Sequence, residues 1–287
     1  MQNMSCKIYM DHAATTEMLP QVRKAMEPYL MEEYGNASTS YEMGRRTREA
    51  LEGAREQIAM LIKAKPEEIF FTSGGSESDN WVIKNVAAEK KEKGKHVITS
   101  KIEHHAVLRS CEYLEKLGYE LTYLDVDAYG VIDLAQLREV LREDTTLVSV
   151  MTGNNEIGTI EPLDAVASML RGTGTLFHTD AVQAIGQIPL SMNQLPVDYL
   201  SASAHKFHGP KGVGFLFVRK DRDLRRIFTE AVRKTANGQE PRMWQELWGW
   251  QRHLKLQWKR CRSCVRGLCG CVIILWNGYY GRFRREG

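Results

Sequence analysis

From about residue 68 to residue 218, short apolar runs alternate with longer stretches of helical period. Residues 68–72, 96–100, 119–124, 147–151, 176–179 and 213–218 have the length and the β-branched or aromatic content of strands. Residues 76–91, 106–117, 134–142 and 163–171 repeat apolar positions at three- and four-residue spacing, which predicts helices. Alternation of this kind predicts an α/β fold: a mostly parallel sheet with helices on both faces. Such sheets bind ligands beyond the carboxyl ends of their strands, so chemistry is sought just after each one. No internal repeat or low-complexity linker interrupts the pattern.

Three strand ends and one further segment carry candidate chemistry. Thr72-Ser73-Gly74-Gly75-Ser76 joins a predicted strand to a predicted helix. Two glycines let the backbone approach an anion, and Ser76 is placed to cap the helix; the turn is either a phosphate site or an ordinary capped turn. Glu103-His104-His105 follows the next strand, and the His104 ring is either a solvated group or a flat surface for an aromatic cofactor. Asp180, at the end of Phe177-His178-Thr179-Asp180, either caps a turn or holds a pyridine nitrogen protonated and makes that ring an electron sink. Lys206 lies in Ser203-Ala204-His205-Lys206-Phe207-His208-Gly209-Pro210-Lys211-Gly212. A lysine among small residues and histidines is poorly explained as part of a solvated face. Burial would lower its pKa and let it attack a carbonyl.

Taken in order, these segments resemble the class V aminotransferase group and, within it, the cysteine desulfurases. The resemblance is carried by Tyr9-Met10-Asp11-His12-Ala13-Ala14-Thr15-Thr16, by Thr72 through Asn80, by Glu103-His104-His105-Ala106-Val107-Leu108, by Asn154-Asn155-Glu156-Ile157-Gly158, by His178-Thr179-Asp180-Ala181-Val182-Gln183 and by Ser203-Ala204-His205-Lys206. It runs from about Ile8 to Val218 and implies the large domain of a transferase that uses pyridoxal 5'-phosphate (PLP). By that resemblance Lys206 would join the cofactor as an imine, and His104 would stack on the ring and serve in acid–base exchange. Asp180 would pair with the pyridine nitrogen, Gln183 would bond the phenolic oxygen, and Asn155 would lie near the cofactor and the substrate carboxylate. Gly75, Ser76, Ser203 and His205 would hold the phosphate. The implied reaction takes sulfur from L-cysteine, leaving alanine and an enzyme persulfide for iron–sulfur cluster or thio-cofactor synthesis. A related lyase such as one acting on selenocysteine, or a catalytically silent fragment, is the alternative. The implied partners are a second copy in a homodimer and a sulfur-acceptor or scaffold protein. Residues 35–41 depart from the family pattern, which usually has Pro after the Asn and His near Tyr41, and no role is assigned there.

Composition changes after Val218. The 287-residue chain has a net charge of +3, but residues 219–287 hold 17 basic and 6 acidic residues against 22 and 30 before them. Five of the six Trp and four of the six Cys also lie there, and the resemblance stops. The spacing Cys261-x2-Cys264-x4-Cys269-x-Cys271 fits no common zinc pattern, so no metal is expected. A basic, aromatic arm for nucleic acid or membrane is one reading of this composition. The preferred one is translation out of frame. Read from the third base of each codon, Asn237 to Trp248 permits Arg-Ala-Gly-Thr-Glu-Asn-Val-Ala-Gly-Ile-Val-Gly, where the single codons of Met243 and Trp244 force the Val. That reading resembles the family's next segment, and the slip would lie between about Arg219 and Phe228. The expected organisation is a PLP-binding domain over 1–218 and an out-of-frame tail over 219–287. The family's sulfur-accepting cysteine loop is then missing, which predicts little activity. No apolar run reaches 18 residues and the first ten residues lack a signal-peptide stretch, so a cytoplasmic enzyme without membrane or nucleic-acid partners is expected.

Overall fold

A computed structural model describes residues 8–222 and Leu224. Expectations about residues 225–287, and about Cys6, lie outside the described residues. The elements run α1 (Pro20–Met31), α2 (Glu42–Ile62), β1 (Ile69–Thr72), α3 (Gly75–Glu89), β2 (His96–Ser100), α4 (His105–Lys116), β3 (Glu120–Leu124), α5 (Leu134–Val140), β4 (Thr145–Ser149), α6 (Leu163–Leu170), β5 (Leu176–Asp180), β6 (Tyr199–Ser203) and β7 (Gly214–Val218). The seven strands form one sheet in the order β1-β7-β6-β5-β4-β2-β3. From β3 through β6 all neighbours are parallel, as expected; β7 runs antiparallel between β6 and β1. β1 therefore points the same way as the parallel strands, and its end at Thr72 reaches the same edge of the sheet as Asp180 and Ser203.

Neighbouring strand residues enter opposite cores, because side chains alternate across a sheet. Leu147, Leu176, Tyr199 and Leu216 pack with Trp81, Ile83 and Val86 of α3 and Val107, Cys111 and Leu114 of α4. Val148, Phe177, Leu200 and Phe217 pack with Leu51 and Ile58 of α2, Leu137 of α5 and Val166 of α6. Full burial of one such side chain contributes roughly 1.5–3 kcal/mol. The sheet is thus covered on both sides, and its open edge is left for ligands.

Two expected details differ. β4 lies two residues earlier than residues 147–151. Its first two residues are threonines with buried partners: Thr145 Oγ1 bonds His96 Nδ1 at 2.8 Å, and Thr146 Oγ1 donates to the His96 carbonyl at 3.0 Å. Ser76 does not cap α3. The N-cap is Gly74, at φ 147°, a backbone conformation open to glycine, and Ser76 sits inside the first turn. The divergent segment 35–41 folds on itself and on α2. Ser38 N–H donates to Asn36 Oδ1 at 2.9 Å, and Arg48 Nε donates to the Ala37 carbonyl at 2.7 Å.

Candidate active site

An open cavity of ≈ 420 Å³ lies at the carboxyl edge of the sheet. Every residue singled out from the sequence lines it: Gly75, Ser76, His104, Asn155, Asp180, Gln183, Ser203, His205 and Lys206. They come from the ends of β1, β2, β4, β5 and β6, so the topology alone accounts for their meeting. Sequence reasoning missed Ala14, Thr15, Glu77, Asp79 and Lys211, which line it as well.

One end of the cavity is built for close approach. A Cβ on Gly75 would stand 2.5 Å from Val182 Cγ2, and one on Gly214 would stand 2.8 Å from Gly74 Cα. The start of β7 is therefore pressed against the N-terminus of α3, beside Ser203, which pairs with Gly214. The first-turn amides of a helix lack partners within the helix, so this end suits an anion. Glu77 is occupied locally, accepting from Ser73 N–H at 2.5 Å.

Lys206 is half-buried, in a single 3₁₀ turn after β6. Burial pulls its ammonium below the ordinary lysine range, while Asp180 and Asp11 push the other way. It donates to the Ala13 carbonyl and, at 3.0 Å, to that of Ala14. The same N-terminal arm takes Gln183 Nε2 on the Ala13 carbonyl at 2.7 Å, and Thr15 Oγ1 lies 3.1 Å from His205 Nδ1. Thr16 N–H donates to the His205 carbonyl at 2.9 Å. The arm has no regular element, so no periodic signal marked it as part of the site.

His104 is the N-cap of α4. Its Nδ1 accepts Ala106 N–H at 3.1 Å, leaving Nε2 for the exposed side. In the next loop Asn154 holds the turn, with Oδ1 accepting from Glu156 and Ile157, and this presents Asn155 to the cavity. Asp180 does take one turn bond, from Val182 N–H at 2.9 Å, as a capping residue would, yet it also faces the cavity.

Three acids are buried behind this surface. Asp180 and Asp79 offer oxygens within 4.8 Å of each other and of a His104 nitrogen. His178 Nε2 stands 3.6 Å from Asp79 Oδ1. The Ser201 hydroxyl bonds that His178 nitrogen, at 3.0 Å. Burial first, then the neighbouring Asp180, push the Asp79 carboxyl well above the usual range. Asp180 is also raised by burial, against pulls from Val182 N–H, His104 and Lys206. Glu103 accepts from Met151 N–H and Ser100 Oγ, and burial pushes it up to about 8. Burial holds His178 neutral, down at about 3. Two adjacent carboxyls in a low dielectric do not both ionise. Burial raises both carboxyls, Asp79 the more strongly, while His104 and Lys206 pull Asp180 back toward its charged form.

The class-V aminotransferase family model matches residues 8–229. The cysteine desulfurase IscS of Dictyoglomus turgidum is 54% identical over 217 residues, covering 76% of this chain and 55% of that protein. The protein of the same name from Methanosarcina thermophila is 50% identical, over 74% of this chain and 53% of its own length. The chain spans about half the length of the curated relatives it matches. Among solved structures, a NifS-like protein superposes with a TM-score of 0.79 at 39% identity, over 87% of this chain and 69% of that one. SspA in complex with cysteine gives a TM-score of 0.79 at 33% identity, over 87% and 72%. By sequence and by fold, the chain belongs to the class-V aminotransferase family.

Proposed function

We propose that this chain is the cofactor-binding part of a PLP-dependent cysteine desulfurase. The observation that carries the reading is the convergence of all nine expected residues on one cavity. The residues fit PLP: a cradle at Gly74 and Gly75 that a Cβ would obstruct, a lysine of lowered pKa, and a buried carboxylate facing it. When bound, PLP supplies an electron sink for charge developing at the substrate α-carbon.

The chain's own groups divide the remaining work. Lys206 has the lowered proton affinity that a nucleophilic amine needs near neutral pH. Asp180, whose charged form His104 and Lys206 favour, would hold a proton on the ring nitrogen of bound PLP. Gln183, whose Nε2 donates to the Ala13 carbonyl, would bond the phenolic oxygen. His104 would offer its ring for stacking and Nε2 for proton exchange, Asn155 would lie near the substrate carboxylate, and Ser76, Ser203 and His205 would hold the phosphate.

Sulfur release needs a mobile thiol in addition. Cys111 is the one cysteine among the described residues; it is buried in α4, and burial pushes its thiol up to about 12, so it is no acceptor. The acceptor, a homodimer partner and a scaffold protein for iron–sulfur or thio-cofactor synthesis belong to the intact protein, placed in the cytoplasm. Exposed Ile8, Met10, Leu30, Met31 and Tyr34 are apolar surface consistent with such a dimer. No helix among the described residues is long and apolar enough to cross a membrane.

Adding PLP to the full chain is expected to give a near-visible absorption band. Borohydride reduction should fix the cofactor on the Lys206 peptide, and Lys206→Ala should abolish the band. Attachment at Lys101 or Lys211 instead would reject the site.

A further inference from the structure

The phosphate end of the cavity is short of positive charge. It is framed by Ser73, Gly74, Gly75, Ser76, Ser203 and His205. The α3 N-terminus contributes only a partial charge, and Glu77 at its first turn opposes it. His205 contributes a hydrogen bond without charge, because burial first, then Lys206 and Lys211, lower its proton affinity. Among the described residues no arginine lines the cavity, and the lysines that do are Lys206 and Lys211. With Lys206 joined to the aldehyde, Lys211 would be the cavity lysine left to meet a phosphate dianion.

Position supports the same assignment. Lys211 lies between buried Pro210 and Gly212, whose φ is +82°, in the turn that leads into β7. Three residues later Gly214 is paired with Ser203 and pressed on Gly74, both residues of the phosphate end. Val213 accepts from Ala204 N–H at 2.9 Å, which ties the turn to the Lys206 segment. Lys211 is thus exposed, lines the cavity, and is anchored on both sides by backbone that touches the anion cradle.

We propose that Lys211 is the cationic ligand of the cofactor's phosphate, an inference that rests on the PLP reading above. Its ammonium neutralises part of the dianion from the β7 side while the α3 amides hold it from the other. It sets the preference for a phosphorylated over a dephosphorylated cofactor.

The test compares PLP with pyridoxal, which has the aldehyde and ring but no phosphate. Each is titrated into the full chain and followed by the Lys206-dependent near-visible band. Wild type should favour PLP. Lys211→Ala should weaken PLP binding about ten- to a hundredfold, in line with one charge-assisted hydrogen bond, and leave pyridoxal binding within about twofold. Lys211→Arg should restore most of the preference. The salt sensitivity of PLP binding should fall in Lys211→Ala, since an exposed charge pair is screened. An unchanged PLP-to-pyridoxal ratio in Lys211→Ala, or an equal loss for both ligands, overturns the inference. No Lys206-dependent band with either ligand would sink the PLP reading itself, which is a separate outcome.

Discussion

Asp79 is a fully buried acid, and the rise in its pKa on folding has a measurable consequence. Its folded pKa is raised, so the folded chain holds a proton that the unfolded chain releases above about pH 4. Stability therefore falls as pH rises from that value toward the folded pKa. Asp79→Asn keeps the shape and removes this cost. It should raise Tm, and the gain should be larger at pH 8 than at pH 5. A variant less stable than wild type at pH 8 would mean that Asp79 is ionised and paired with a charged His178. Glu103 adds to the same alkaline decline between 4.5 and about 8. His178 acts at the other side: the unfolded chain takes a proton below about 6.5 that the folded chain refuses down to about 3, so stability also falls on acidification. None of this was visible in the sequence. Asp79 occupies a helix position where a polar residue reads as surface, and only the packing of α3 on β5 and β6 shows it to be interior.

At the scale of elements, strands flanked by turn signals and helices with large apolar stripes were legible, and their ends fell within about two residues of expectation. Three elements were not assigned. The inward face of α2 is Thr47, Ala50, Ala54, Arg55 and Ala59 as much as Leu51, Ile58 and Ile62, so its period is muted by small and charged residues. α1 contains Pro28, which reads as a break. β6 is Tyr-Leu-Ser-Ala-Ser, buried at every position; its serines look like loop until Ser201 is seen bonding His178. The glycine at the start of β7 offers a sharper check on this packing. A Cβ at Gly214 would lie 2.1 Å from the Ala202 carbonyl oxygen and 2.8 Å from Gly74 Cα, both backbone. Gly214→Ala should destabilise by on the order of 2–3 kcal/mol and weaken PLP binding with it, measured by urea melts and titration. A neutral substitution would show that β7 does not clamp the cradle.

For the whole molecule, the candidate site is contained in a chain that spans about half of its relatives. Joining the natural continuation of the family fold after about Val218, by repairing the reading frame, should raise alanine production from L-cysteine well above that of this chain in the presence of PLP and a thiol. Equal turnover would remove the out-of-frame reading of residues 219–287 and require an acceptor thiol in the present chain. The remaining feature is the arm at residues 13–16, whose bonds to Gln183, His205 and Lys206 join residues 170 to 193 apart. During synthesis the arm emerges before its partners, which follow only after nearly all of the described chain has been made. At about 5–20 residues per second, that interval is on the order of 10–40 s. For that time the nascent chain has an arm with nothing to clasp, so cofactor capture must wait until residues 183–206 have emerged, and any chaperone or protease that meets residues 13–16 earlier acts before the site exists.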